Sequence, residues 1–293
     1  MSQLAVHKLS NDELARIKYL ELQILLEFQR VCNELGIEFH LDAGTLLGAV
    51  RHQGFIPWDD DIDVNMLRPD YEVFMREGPS RLSKEFFLQT PENSPQMPAS
   101  FMKLRLNGTE MRENLLDHVS GNHGIWIDIF PFDVVRESTN LQRLRKKQSR
   151  LGKFFDLRQR STASDGLTGL ARTARQIAHA ALQLVPRDLI LRRMHGENLS
   201  GDALQDSYIT SFHYGSSFIA LPYTDSLPAT TVQFEGCDMP AFASWNEYLT
   251  QLYGDWKQLP PEKDRIPHHF VSKLDFGEYA NTQIPSGLAS KID

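Results

Sequence analysis

The chain has 293 residues, a formal net charge of −7, 41% hydrophobic and 24% charged residues, the balance of an ordinary soluble globular protein. No stretch reaches the ~18 apolar residues of a membrane span, and the first residues lack the apolar core of a signal peptide, so a cytoplasmic protein is expected. Two cysteines, Cys32 and Cys237, imply no disulfide framework and suit a reducing compartment. The length accommodates one large domain with an insertion, or two small ones.

In chain order, Ser10-Asn11-Asp12-Glu13 is a capping box. It opens a long amphipathic helix with Ile17, Leu20, Ile24, Phe28, Val31 and Leu35 on one face, ended by Gly36. Cys32 falls in the apolar stripe. Ile37–Leu41 alternates as a strand, and Gly44-Thr45 starts a short helix through Arg51. An acidic strand follows, then a helix from about Asp70 to Arg81. Strands are predicted at Phe86–Gln89, Phe101–Leu106 and Gly124–Phe130, the last stopped by Pro131. A basic helical block occupies roughly 138–198. A hairpin at Thr231–Phe242 precedes a second capping box, Ser244-Trp245-Asn246-Glu247, whose helix ends at Gly254. An irregular tail completes the chain.

The acidic segment is Asp59-Asp60-Asp61-Ile62-Asp63. Four carboxylates in five residues repel one another unless a cation sits among them. Alternate residues of a strand share a face, so Asp61 and Asp63 point one way while Ile62 and Val64 enter the core, and Asp59 extends the acidic side. This pattern predicts a hard-cation site of oxygen ligands, with Mg2+ as occupant and Mn2+ as its substitute. A calcium loop is excluded: its sixth and twelfth positions would be Val64 and Asp70 instead of Gly and Glu.

The net charge hides an asymmetry. Residues 136–195 hold fourteen Lys/Arg and four Asp/Glu, against 17 and 34 in the remainder. Arg143, Arg145, Lys146 and Lys147 lie in this stretch, which continues into an amphipathic segment at Ala171–Val185. Peripheral contact of residues 138–195 with an anionic membrane is one reading, and a solvated face of a helical insertion is the other. Aromatic residues are sparse there, and nucleic acid is not expected.

Three placements converge on one chemistry. Gly44-Thr45 at a helix start offers backbone N–H groups to a phosphate. Asp61 and Asp63 hold a metal. Asp128, mid-strand among Trp126 and Phe130, needs a partner that a shared metal would supply. Lys103 and Arg105 share a strand face from which both can reach phosphate. His118, His123 and the adjacent His268-His269 lack the ligand spacing of a zinc site. His268 and His269 are weighed instead as a lid over a nucleotide.

These parts resemble the nucleotidyltransferase fold, in which divalent ions organise in-line attack on a nucleotide phosphate. The run from Asp42-Ala-Gly-Thr through Arg51 and Pro57-Trp58 to Asp63 closely resembles the LicD family, which includes the fukutin and fukutin-related proteins. Further similarity lies at Phe101–Arg105, Ile127–Asp133, Phe234-Glu-Gly236 and Leu252-Tyr-Gly-Asp-Trp256. The resemblance covers roughly 12–136 and 206–270. It implies transfer of a phospho-alcohol, such as phosphocholine or a polyol phosphate, from a CDP-linked donor to a hydroxyl of a cell-surface glycan or lipid-linked glycan. By motif match, Asp59, Asp61 and Asp63 are its metal-site acids, with Asp128 as fourth acid, and Gly44, Thr45 and Arg51 face the donor phosphates. Whether Asp128 holds metal or accepts the hydroxyl proton is left open.

The expected fold is α+β: a nucleotidyltransferase-like mixed sheet with flanking helices, a catalytic core over 1–136, a basic helical insertion over 137–205, and residues 206–293 completing the same domain. Two rivals were weighed. A nucleotide-sugar glycosyltransferase using Asp-x-Asp normally carries a longer nucleotide-binding unit ahead of that motif. A catalytically silent scaffold would have lost an acid, whereas Asp59, Asp61, Asp63 and Asp128 are all present.

Overall fold

A computed structural model describes residues 7–97, 99–114, 119–159, 169–194, 199–211, 218–267 and 269–289. Helix α1 spans Asn11–Leu35. Its capping box forms as expected, with Ser10 Oγ accepting the Glu13 N–H and the Glu13 carboxylate accepting the Ser10 N–H, and Gly36 closes it in the left-handed region. Strand β1 is only His40–Leu41, shorter than the predicted Ile37–Leu41. Helix α2 covers Ala43–His52, β2 covers Asp63–Leu67 and α3 covers Arg68–Glu77. β3 (Phe86–Gln89), β4 (Met102–Leu106) and β5 (Glu110–Glu113) follow.

Strand β6, Trp126–Arg136, is the spine of the sheet. It runs parallel to β2, with Asp63 opposite Asp128, and antiparallel to β4, with Lys103 opposite Asp128. The sheet order is β1-β2-β6-β4-β3, and β7 (Ser207–Ser211) pairs with the second half of β6 and with β8 (Leu221–Pro222). The expectation that Pro131 stops this strand is corrected. Pairing to β4 ends at Ile129 and pairing to β7 begins at Phe132, so the proline's missing N–H falls where one neighbour has ended and the next begins.

α1 packs its apolar face on the sheet, with Ile17, Leu20, Ile24, Phe28 and Val31 buried in one continuous core with Ile127, Ile129 and Phe132. Between β6 and β7 the chain makes α4 (Leu141–Gln159), α5 (Gly169–Gln183) and α6 (Arg187–Arg193). This insertion has a small core of its own, including Val135, Leu144, Phe155, Ile190 and Met194. Arg187 ties it to the body by donating to the carbonyls of Pro91, Pro95, Met97 and Ala99. No helix among the described residues is long and apolar enough to cross a membrane.

The predicted hairpin is β9 (Thr230–Phe234) with β10 (Cys237–Ala241), preceded by a short α7 (Tyr223–Ser226) and followed by α8 (Trp245–Tyr253). The second capping box does not form. Ser244 makes no side-chain cap; its hydroxyl pairs with that of Ser226, and Glu247 bonds Gln251. The tail is not wholly irregular either. β11, Val271–Asp275, pairs antiparallel with β5, and a short α9 covers Ser286–Ala289. A four-residue strand whose partner lies about 160 residues away leaves no local signal.

Candidate active site

The site is built where α2 meets the start of β2. Asp42 caps α2: its Oδ1 accepts the Ala43 N–H at 3.0 Å and also the hydroxyl of Tyr248. One turn on, Thr45 Oγ1 accepts the backbone N–H of Asp63 at 2.8 Å. α2 ends at Gln53 in the left-handed region, and Gly48 lets the returning chain pass so closely that a Cβ there would lie 2.4 Å from the Gly54 carbonyl. That chain is held from two further directions. Glu235 at the hairpin turn accepts the Phe55 N–H at 3.0 Å while Phe234 packs on Phe55. From below, the buried Lys18 ammonium donates to the carbonyls of Ile56 (3.0 Å) and Pro57 (2.7 Å). The backbone delivering Asp59, Asp60 and Asp61 is therefore fixed by α1, α2 and the β9–β10 hairpin together.

Ile62 and Val64 are fully buried while Asp61 and Asp63 are half-buried, the alternation the sequence predicts. Asp59 and Asp60 are buried as well. Carboxylate oxygens of Asp59, Asp60 and Asp61 lie within 4.8 Å of one another. Burial pushes Asp59 well above the usual carboxylate range, and the charges of Asp61 and Asp60 add to it. Asp63 rises likewise, from burial and then from Asp61 and Asp128. Beneath them on α1, Glu21 is buried with an Oε2 that has no hydrogen-bond partner, and burial followed by the charges of Asp61, Asp60 and Asp59 drives its affinity for a proton up.

Few cations answer this charge. Burial lowers Lys18 to about 8 despite Asp59 and Glu21 nearby. His269 lies beside Asp60, its N–H 3.1 Å and its Nδ1 3.4 Å from the carboxylate. Burial opposes its protonation, but the Asp60 hydrogen bond and the charges of Asp61 and Asp60 raise it to about 9. Five acids, including Glu21, outnumber Lys18, His269 and Arg51 here, an excess of negative charge that a divalent ion relieves, and all their donors are hard oxygens. The acids present therefore fit Mg2+.

A cavity of about 340 Å³ opens over the acids. Ala43 and Gly44 from the first turn of α2, with Arg51 from its last, line one side; Asp59, Asp61 and Asp63 line the floor. Trp58, Tyr253 and Trp256 make the aromatic wall, and Gln258 and Asp264 the rim. Arg51 is steadied by the Trp256 carbonyl at 3.1 Å and by His52 at 2.9 Å.

Of the residues singled out in the sequence, Gly44, Arg51, Asp59, Asp61 and Asp63 meet in this cavity; Thr45, Lys103, Arg105 and Asp128 are not among its lining residues. Thr45 is buried and spends its hydroxyl on β2. Asp128 stands beside Asp63 across the parallel pair, bound to Lys103 at 2.8 Å. Burial raises Asp128 and the Lys103 ammonium opposes that rise. Lys103 also sits 4.3 Å from the centroid of the Trp126 ring. Arg105 is fully buried and donates to Gln89 at 2.5 Å and to the Gly124 carbonyl at 2.8 Å. His118 and His268 fall outside the described residues, so the two-histidine lid is represented by His269 alone.

Sequence reasoning missed Asp60, Glu21, Lys18 and Asp264. Strand alternation put Asp59, Asp61 and Asp63 on one face and left Asp60 out of the metal set, but β2 begins only at Asp63. The three acids before it lie on an irregular loop where alternation does not hold. Tyr253 and Trp256 were visible within the Leu252–Trp256 motif without a role.

The mixed sheet, the helix opening at Gly44 and the acids at the entry to β2 define a nucleotidyltransferase-like domain. Residues 36–157 match the family model described as LicD/FKTN/FKRP, nucleotidyltransferase domain. The lipopolysaccharide cholinephosphotransferase LicD of Haemophilus influenzae is 29% identical over 251 residues, 85% of this chain and 92% of that protein. An uncharacterized protein of Rickettsia prowazekii is 42% identical over 55 residues, which is 19% of this chain and 20% of that one. Residues 36–157 thus resemble the nucleotidyltransferase domain of the LicD family, and the chain is an enzyme of the LicD phosphotransferase type.

Proposed function

We propose that this enzyme moves a phospho-alcohol, phosphocholine first among the choices, from a CDP-linked donor to a hydroxyl of a cell-surface glycan or its precursor, with Mg2+ at Asp59, Asp60 and Asp61. The observation that carries the reading is the meeting, in one cavity, of a helix N-terminus with Asp59, Asp61 and Asp63, of which burial and neighbouring carboxylates raise Asp59 and Asp63 well above the usual range. Choline and lipopolysaccharide come from the name of the Haemophilus influenzae relative, which aligns along nearly its whole length.

The donor pyrophosphate rests against the first turn of α2, where Gly44 lets it approach the backbone and the helix dipole favours its charge. Arg51 balances a second phosphate oxygen from the other end of the same helix. Trp58, Tyr253 and Trp256 stack on or enclose the apolar parts of the donor and keep bulk water from the phosphorus. A bound Mg2+ would neutralise charge building on the phosphoryl oxygens. The acceptor hydroxyl forms the new O–P bond as the bond to CMP breaks. Its proton passes to Asp63, which lines the floor of the cavity next to the Asp59–Asp61 cluster and whose affinity for a proton is already raised. Asp128 and Lys103 lie behind it as a neutralised pair and fix the charge Asp63 feels. The reaction is placed in the cytoplasm, a reducing setting in which Cys32 and Cys237 stay as free thiols.

The test is incubation with CDP-choline, CDP-ribitol, CDP-glycerol or nucleotide sugars and Mg2+, following nucleotide release with and without a glycan acceptor. Release from CDP-choline in excess of the other donors is expected. Release only from nucleotide sugars would make the protein a glycosyltransferase, and no release from any donor with a matched acceptor would leave a silent scaffold.

A further inference from the structure

The acidic cavity does not account for α5. Nothing among the described residues covers its outer face. Leu170, Ala174, Ile177, Ala181 and Leu184 recur at intervals of four and three residues from the start of α5 to one residue past its end, which lines them up as one stripe roughly 20 Å long. All five are exposed, Leu170 to 90%, Ile177 to 65% and Leu184 to 86%. The stripe faces outward because the opposite edge is pinned to α4: His179 Nδ1 meets the Leu157 carbonyl at 2.8 Å and Gln183 Nε2 donates to the Arg158 carbonyl at 2.6 Å. Leaving three large aliphatic side chains in water is unfavourable, and contiguous apolar patches of this kind mark contact sites.

On the neighbouring helix, α4 presents a shallow groove of about 510 Å³ lined by Arg145, Lys146, Arg150 and Lys153 together with Gln142 and Ser149. No carboxylate among the described residues lines it. We infer that α5 and the cationic groove of α4 form a docking surface for an anionic lipid bilayer, the apolar stripe entering the acyl boundary while the basic residues meet the headgroups.

Charge decides among occupants. A second copy of the chain would set two blocks of like charge against each other, each with fourteen basic and four acidic residues, so self-association through this face is opposed. Nucleic acid would satisfy the cations and leave the leucines bare. An anionic bilayer satisfies both at once: an apolar face lies a few ångströms into the interface, and each nearby Lys or Arg adds to the attraction. Being peripheral, the contact is reversible and weakens as salt shortens the Debye length. This inference does not rest on the proposed transferase activity. It puts the cavity near lipid-linked material whichever acceptor is used.

The experiment is flotation of the full chain with vesicles of phosphatidylcholine alone or with about a third phosphatidylglycerol, at low and high salt. Two variants accompany it: Leu170→Ser/Ile177→Ser/Leu184→Ser, and Arg145→Gln/Lys146→Gln/Arg150→Gln. Their side chains are exposed or line an open groove, so melting within about 2 °C of wild type shows that the fold is kept. Wild type should float with anionic vesicles at low salt, stay behind with neutral ones and be released at high salt. The stripe variant should lose flotation at both salts, and the charge variant should bind on the order of a hundredfold more weakly at low salt. Wild type left in solution with anionic vesicles at low salt overturns the inference. So does a folded stripe variant that floats like wild type. A dimer in light scattering that the stripe substitutions dissolve, with no flotation, assigns the face to a second copy instead and likewise overturns it.

Discussion

Thr45 Oγ1 accepts the backbone N–H of Asp63 at 2.8 Å, so the helix that opens onto the cavity and the strand that carries the acids are joined by one side-chain hydrogen bond. The sequence reading offers the backbone N–H groups at Gly44-Thr45 to the donor phosphates; the Thr45 hydroxyl is spent on β2. Thr45→Val keeps the shape and leaves the Asp63 N–H unmet, which should cost about 1–3 kcal/mol of stability. Because the bond positions Asp63, kcat should fall more than donor affinity. Thr45→Ser should restore most of both in urea melts and CMP-release assays. A Val variant with wild-type stability and kcat would show that β2 is fixed without this bond.

Much of the scaffold around that bond was legible because its signals are local. The capping box at Ser10–Glu13, the left-handed Gly36 and the apolar spacing of α1 are each written within a few residues, and α1 forms as read. The hairpin at 230–241 turns through Glu235 and Gly236, both at positive φ, where the sequence sets a Glu-Gly pair between alternating residues. What escaped depends on partners distant in sequence. β5 and β11 define each other across the chain. Lys18 and Glu21 sit at core positions of α1, between Leu14 and Leu25 at the same three-and-four spacing. Read on periodicity alone they are interruptions of the stripe. In the fold they are the underside of the acidic site, with Lys18 gripping the loop and Glu21 buried below the carboxylates. Charged residues at core spacing were the available signal for them.

Neutralising an acid in the cluster separates activity from stability. Asp59 and Asp63 are driven up by burial and by the charge of Asp61, so Asp61→Asn relieves repulsion in the metal-free protein. Without Mg2+ the variant should melt at or above the wild-type temperature. Mg2+ should raise the wild-type melting temperature by binding the folded state and leave the variant unmoved. Transfer should drop on the order of a hundredfold at least. Equal wild-type rates in EDTA and in Mg2+ would remove the metal from the reaction.

Two glycines of α2 should answer alanine differently. At Gly44 a Cβ would lie 2.8 Å from Asp59 Oδ2. The side-chain oxygen can give way, and alanine favours the helix by up to ~1 kcal/mol, so Gly44→Ala should fold at least as well while losing activity through a displaced Asp59. At Gly48 the same atom would lie 2.4 Å from the Gly54 carbonyl and 3.1 Å from the Ile56 nitrogen. Backbone yields less readily, and Gly48→Ala should destabilise by about 1–3 kcal/mol. Thermal melts and CMP release on the two variants check the contrast; a stability loss at Gly44 as large as at Gly48 would contradict it.

The last expectation concerns acid stability, where His40 should dominate a defined window. His40 on β1 is buried, stacked 4.1 Å from Phe242, with Nδ1 3.3 Å from Asn65 Oδ1. Burial lowers it to about 4, and the Asn65 bond only partly opposes this. The unfolded chain takes up this proton near pH 6.5 and the folded protein does not until about pH 4. The contribution is therefore fully present above 6.5 and lost progressively between 6.5 and 4, by about 3 kcal/mol in all. His40→Gln keeps a polar partner for Asn65 but packs less well on Phe242. It should be less stable than wild type at pH 8, and the difference should shrink or reverse on acidification through that window. The acids of the cavity titrate in both proteins and cancel in the comparison. Urea midpoints of the pair from pH 8 to pH 4.5 measure it directly, and a gap between them that stays constant with pH would show that His40 is not the group whose protonation opens the fold.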